Sequence, residues 1–179
     1  MENPTEQTLA PTTRQTGIRY GLILGVISIA YFVVLSVAGV NMSGGPAQWA
    51  GLLFSLIIFI LAHKYFKENG DGYMSYGQGI GIAFWTSLVS SVLSSAFTFV
   101  YVSFVDSSFV ENLKQQQIEK MQEQGMSDAQ IDQAMGFAEM FMSPTSMLIF
   151  GIVGGIFFGI LVGLVVTIFT QKANPEPTV

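Results

Sequence analysis

Few residues of this chain could do chemistry, and their surroundings argue against it. The single histidine, His63, sits beside Lys64 at the end of an apolar run. That setting reads as an interfacial anchor rather than a general base or a metal ligand. No serine has both a histidine and a carboxylate at a matching depth, so a hydrolase triad cannot be assembled. Glu68 and Asp71 flank the breaker-rich turn Lys67–Gly72, where a local Asx cap accounts for the aspartate. Asp132 and Glu139 are separated carboxylates on the polar side of an amphipathic stretch, which is a solvated face. The chain has no cysteine, which excludes disulfides, thiolate metal sites, iron–sulfur clusters and thiol catalysis. The glycines near the C-terminus precede no Gly-Lys-Ser/Thr and form no phosphate loop. The expectation is a protein that is not an enzyme, with no catalytic residue, no cofactor and no metal.

The remaining polar chemistry is a ladder of hydroxyls. Thr86, Ser90, Ser94 and Thr98 recur every fourth residue, with Ser87, Ser91 and Ser95 one position on. On a helix both columns share one face over about 18 Å at 1.5 Å per residue. Such a face is a candidate polar path for water, an ion or a small solute. The competing reading is helix packing, since small residues let backbones approach and hydroxyls can bond the carbonyl one turn back. No ionisable residue lies in 21–40, 47–62, 79–105 or 147–170. Intramembrane acids and bases mark proton relays, so their absence opposes proton-coupled transport and bears less on a passive pore or a carrier.

These hydroxyls sit in one of four apolar segments, roughly Gly17–Val40, Ala47–Ala62, Gly79–Val105 and Pro144–Thr170. Hydrophobic residues make up 50% of the chain and charged ones 11%, against about 25% charged in a soluble domain. Mean hydropathy is +0.52. In lipid the backbone must satisfy its own hydrogen bonds, so these segments are expected to span as helices. The second is short, about 24 Å at 1.5 Å per residue, with Trp49 and the His63–Lys67 end as anchors, and a re-entrant helix is its alternative. Residues 1–16 read as a disordered N-terminus and 171–179 as a disordered tail. The first segment is longer than a signal-peptide core and follows Glu2 and Glu6, so it reads as a retained span.

The last segment carries Gly151, Gly155, Gly159 and Gly163, one glycine every four residues. That column is a groove into which another helix can press, within the bundle or from a second copy. A weaker echo links Tyr20-Gly21-x-x-x-Gly25 with Tyr76-Gly77-x-x-x-Gly81, making Gly77 and Gly81 further candidate packing positions. Asn41–Pro46 reads as a tight turn. Residues 106–143 form a polar insert with helical periodicity: Phe109, Leu113 and Met121 on one stretch, a stop at Gly125, a Ser127–Gln130 capping box, then Ile131, Met135, Ala138 and Met142. An extramembrane helical hairpin is expected, and Ile131, Met135 and Met142 are a candidate surface for a protein partner. Membrane lipid is the other expected partner, and nothing points to nucleic acid.

Gly72-Tyr73-x-x-Tyr76-Gly77-x-Gly79, the Ser/Thr-rich span after it, and Gly125-Met126-Ser127-x-x-Gln130-Ile131 leading to Pro144 resemble the bacterial membrane family called domain of unknown function 4199. The resemblance covers about residues 17–170. It implies an all-α protein of four membrane helices, with a helical insert between the last two, in a bacterial inner membrane. It transfers no activity and no functional residue. The function expected is that of a structural or interaction protein, with a small channel or carrier along the third helix as the alternative.

Arg14, Arg19, Lys64, Lys67 and Lys172 fall on one side if all four segments cross, which makes both termini cytoplasmic by the positive-inside rule. Because the chain lacks cysteine, this is directly testable. A membrane-impermeant thiol reagent should label Gln116→Cys in intact spheroplasts and leave Asn69→Cys protected. The reverse pattern would invert the topology.

Overall fold

The computed structural model describes residues 10–40 and 46–175, and among them the chain is helical. Six helices follow in order: α1 Thr13–Val37, α2 Pro46–Glu68, α3 Tyr76–Val100, α4 Phe109–Glu123, α5 Asp128–Met142 and α6 Pro144–Thr170. One π-helical turn, Tyr101–Val105, extends α3. Four helices are long and apolar enough to cross a membrane: Thr13–Val37, Trp49–Glu68, Tyr76–Val105 and Pro144–Thr170. The second segment, short as a run of apolar residues, is thus long as a helix, because His63–Glu68 continue it. The expected turn at Asn41–Pro46 falls largely outside the described residues, as does most of the N-terminal stretch.

Three helices begin with the same device. Thr12 with Gln15, Ser75 with Gln78, and Ser127 with Gln130 form capping boxes at α1, α3 and α5; the first two each satisfy two otherwise orphaned N–H groups, and at α5 the Gln130 side chain accepts from the Ser127 N–H and hydroxyl. The first corrects the reading of residues 1–16 as wholly disordered: α1 begins at Thr13, and Thr16 is buried. At the other end, Lys172 N–H donates to the Met74 carbonyl and Met74 N–H to the Lys172 carbonyl, both at 2.9 Å. That pairing ties the first residues of the tail to the start of α3.

The bundle is organised around α3, which packs along both α1 and α6. The α3–α6 seam is antiparallel and has constant register. A Cβ added at Gly151 would meet Ser95, at Gly155 Ser91, at Gly159 Ser87 and at Gly163 Ala83. One step further the roles exchange, and a Cβ at Gly79 on α3 would meet Thr167 on α6. The α1–α3 seam runs parallel. A Cβ at Gly17 would meet Trp85, at Gly21 Val89 and at Gly25 Leu93. Without a hydrophobic force between helices in lipid, backbone approach of this kind is what association rests on. Gly77 has nothing within 4 Å of a Cβ position, and Gly81 meets only Thr13 at an ordinary 3.7 Å. These two glycines were expected to mark packing, but unlike the buried Gly79 between them they do not face α6 at close range. The Tyr-Gly echo therefore does not carry equal packing at its two ends.

Helix α2 is held mainly at its C-terminal half. Phe59 packs with Ala83 and Val166, and Ala62 and Phe66 pack with Met74 and Ile82. His63 is fully buried, not an interfacial anchor. Its Nε2 donates to the Gly79 carbonyl (3.1 Å), and its Nδ1 hydrogen-bonds the Thr170 hydroxyl (2.7 Å), which also bonds the Val166 carbonyl one turn back (2.8 Å), so the ring joins α2 to α3 and α6. Lys67 Nζ donates to the Thr170 carbonyl at 2.7 Å, capping the negative end of α6. At its other end α2 is tied to α1 by Tyr31, whose hydroxyl donates to the Ala47 carbonyl at 2.8 Å.

Between α3 and α6, α4 and α5 pack on each other through Ile131, Met135 and Met142, covered by Val110, Ile118, Met121 and Met126. Gly125 ends α4 with φ +76°, a conformation that a Cβ disfavours and glycine adopts freely. Lys114 bonds Glu139 at 2.9 Å, and that bond raises the pKa of the lysine.

Two substitution series follow. Gly21→Leu and Gly159→Leu should each cost about 1–3 kcal/mol, as overpacking does, while Gly77→Leu should leave thermal unfolding in detergent unchanged. Equal behaviour of all three would refute close approach at the two seams. His63→Leu removes the ring's bonds to the Gly79 carbonyl and the Thr170 hydroxyl, leaving the latter only its Val166 carbonyl, and should cost ~1–3 kcal/mol. Lys64→Leu, at an exposed neighbour, should cost little in the same assay. Equal losses for both would remove the latch.

Candidate functional site

The two seams use two different strips of α3, and a third strip lies between them. At about 100° per residue, Ser90 and Ser94 fall between the line touching α1 (Ile82, Trp85, Val89, Leu93) and the line touching α6 (Ala83, Ser87, Ser91, Ser95). That middle strip faces α2. The inward column of α2 runs Gly51, Ser55, Phe59, His63, from small to large. Where Phe59 and His63 meet α3 the interior is filled. Where Gly51 and Ser55 face Ser90 and Ser94, small opposes small and the space stays open.

The result is a cavity of about 410 Å³, within the ~300–1,000 Å³ usual for small-molecule sites. Six serines line it: Ser28 of α1, Ser55 of α2, and Ser87, Ser90, Ser91 and Ser94 of α3. Leu24, Leu52, Phe59 and Val162 supply apolar wall. Its α2 and α6 edges include Trp49 and Phe158, each 66% exposed, and the exposed Gly151 and Gly155. The cavity therefore opens sideways between α2 and α6, in the half of the bundle away from His63. Among the described residues, no ionisable side chain lines it.

The hydrogens of five of the six serines are already spent. Ser55 donates to the Gly51 carbonyl, Ser87 to Ala83, Ser90 to Ser87, Ser91 to Leu88 and Ser94 to Ser90, at 2.7–3.2 Å. Each hydroxyl oxygen keeps a free acceptor lone pair. The chemistry offered to an occupant is a set of neutral acceptors, with the Ser28 hydroxyl beside them, on an apolar wall, without acid, base or nucleophile activation.

The hydroxyl face expected from the sequence is thus divided. Ser90 and Ser94 line the cavity. Thr86 is fully buried outside it, with no hydrogen-bond partner for its Oγ1, beside Gly17 and Gly21 of α1. Thr98 is half-buried and is not part of the wall. The four do not form one path. Ser87, Ser91 and Ser95 are the ones against the α6 glycines, and all are buried. The surface expected at Ile131, Met135 and Met142 is closed, since these side chains form the buried contact between α5 and α4.

Sequence reasoning missed Ser28, Ser55 and Gly51 as wall residues. A small-residue step on α2, at i and i+4 in an otherwise bulky helix, was the available signal. It also missed Gly17, Gly21 and Gly25 as a seam, although their spacing equals that of the α6 column. Among the described residues, no group of three or more His, Asp or Glu comes together that could hold a metal ion.

No curated protein matches the chain, and no solved structure does. A family model matches residues 19–172, a stretch that takes in nearly all of the four apolar helices, both seams and the α4–α5 pair, and the chain belongs to that family, described as "Protein of unknown function (DUF4199)".

Proposed function

We propose that this integral membrane protein is a non-enzymatic binding protein or carrier of a bacterial cytoplasmic membrane. Its serine-lined cavity would take up a neutral amphiphile that carries hydrogen-bond donors. The supporting observation is the combination of free serine acceptors, apolar wall and a lateral mouth between α2 and α6. Donor-bearing headgroups such as a polyol or an alcohol satisfy those acceptors. An anion finds no cation there, and a cation finds no carboxylate. A chain attached to the headgroup leaves through the mouth, which opens toward lipid.

In this reading both termini are cytoplasmic. Arg14, Arg19, Lys64, Lys67 and Lys172 gather at the end where His63 joins α2, α3 and α6, with Arg19 over the Tyr65 ring and Lys172 over Tyr73. The positive-inside rule assigns that end to the cytoplasm, so the cavity opens in the outer half of the bilayer and α4–α5 form an external hairpin. A purely structural scaffold is the weaker reading, because its expected docking stripe is used inside the α4–α5 pair.

Thermal unfolding in detergent tests the binding role. A monoacylglycerol should stabilise the protein, by about 2.7 kcal/mol at a hundred times Kd. The methyl ester of the same acyl chain, which lacks a donor, should not. Ser94→Leu, which fills the cavity from α3, should abolish the response. Equal stabilisation by the ester, or a response that survives in Ser94→Leu, would refute the site.

A further inference from the structure

The α5 helix has a second apolar face, separate from the one that closes on α4. Around its axis Ile131, Met135, Ala138 and Met142 form one arc, buried or half-buried against α4. Asp132 and Glu139 form another, exposed and polar, with Glu139 bonded to Lys114. The third arc holds Phe137 and Met140, each 67% exposed, and Phe141, 37% exposed. Among the described residues, no helix covers Phe137 or Met140.

This arc is continuous with the lipid-facing side of α6. The Phe137 and Phe141 rings lie 5.3 Å apart, and Phe141 meets Phe150 of α6 edge-on at 4.7 Å. Phe150, Val153 and Phe157 then carry the exposed apolar surface along α6. Only Ser143 separates the end of α5 from Pro144, where α6 begins. The C-terminal turns of α5 are therefore held at the depth where the chain enters the bilayer. Phe104 and Val105, at the end of the neighbouring α3 extension, are exposed as well.

We infer that α5 lies on the membrane as an interfacial helix, with Phe137, Met140 and Phe141 seated in the lipid of the leaflet through which α6 enters. The occupant of this face is lipid, not a protein. A helix of this kind buries its apolar side about 5–10 Å into the boundary between headgroups and chains, while Asp132 and Glu139 stay in water. The α4–α5 pair is then a plate fixed to the bilayer by α5, with α4 riding on its upper side.

The test uses the full chain in nanodiscs of phosphatidylcholine and phosphatidylglycerol. A fluorophore is placed on Phe137→Cys, on Met140→Cys or on Asp132→Cys, in a protein with no cysteine of its own. Lipid carrying a nitroxide at a shallow chain position should quench the probes at 137 and 140 at least about twofold more than the probe at 132, since that position samples the depth of an interfacial helix. Equal quenching at the three sites would overturn the inference. So would probes at 137 and 140 that are shielded only when two copies share a disc, which would make the face a contact between chains.

Discussion

Everything in this bundle depends on how closely α3 can approach two neighbours at once. Lipid offers the helices no hydrophobic reason to associate, so contact must come from packing of backbones and small side chains. On α6 the glycines at 151, 155, 159 and 163 receive Ser95, Ser91, Ser87 and Ala83. On α1 the glycines at 17, 21 and 25 receive Trp85, Val89 and Leu93. In both seams one partner contributes no Cβ, and the other fills the vacancy. Ser87 and Ser91 of the first seam also return their hydrogens to carbonyls of their own helix, so at these two positions close contact does not leave a donor unpaired.

That commitment has a cost on the remaining side of α3. With two strips used for tight seams, the strip between them belongs to α2, which carries no glycine column of comparable length. Bulk at Phe59 and a buried histidine secure α2 at one half. In the other half Gly51 and Ser55 leave room. The same small residues that permit close packing at one interface therefore create open volume at the next. Polar atoms at that volume are serine oxygens, the least disruptive hydrogen-bonding groups a membrane helix can hold.

Much of the architecture was legible in the sequence, because it follows from local rules. The four spans, the Ser127–Gln130 box, the stop at Gly125 and the entry at Pro144 depend on residues within a turn or two of one another. The interior was less legible because it depends on register between helices. Gly77 and Gly159 are equally glycines, and only the neighbour distinguishes an open rim from a seam. His63 was read by its sequence neighbour Lys64, whereas helical geometry turns it 100° away from Lys64 and into the core. Thr86, Ser90, Ser94 and Thr98 share a spacing but not an environment, since α1 takes the first and the cavity takes the middle two. Ile131, Met135 and Met142 were correctly seen as one stripe. Which surface covers them was not in the spacing, and the answer lies in Val110, Ile118 and Met121 of α4.

Close approach at the α3–α6 seam is tested most directly by a double-mutant cycle on Gly159 and Ser87. Gly159→Ala places a methyl group against Ser87, and Ser87→Gly removes the atoms it would strike. The unfolding of both single variants and of the double variant is measured in the same detergent. A shared seam predicts that the double variant is more stable than the sum of the single losses, with a coupling of about 0.5–3 kcal/mol, as for residues in contact. Additive losses, with no coupling, would mean that the glycine column of α6 does not hold α3.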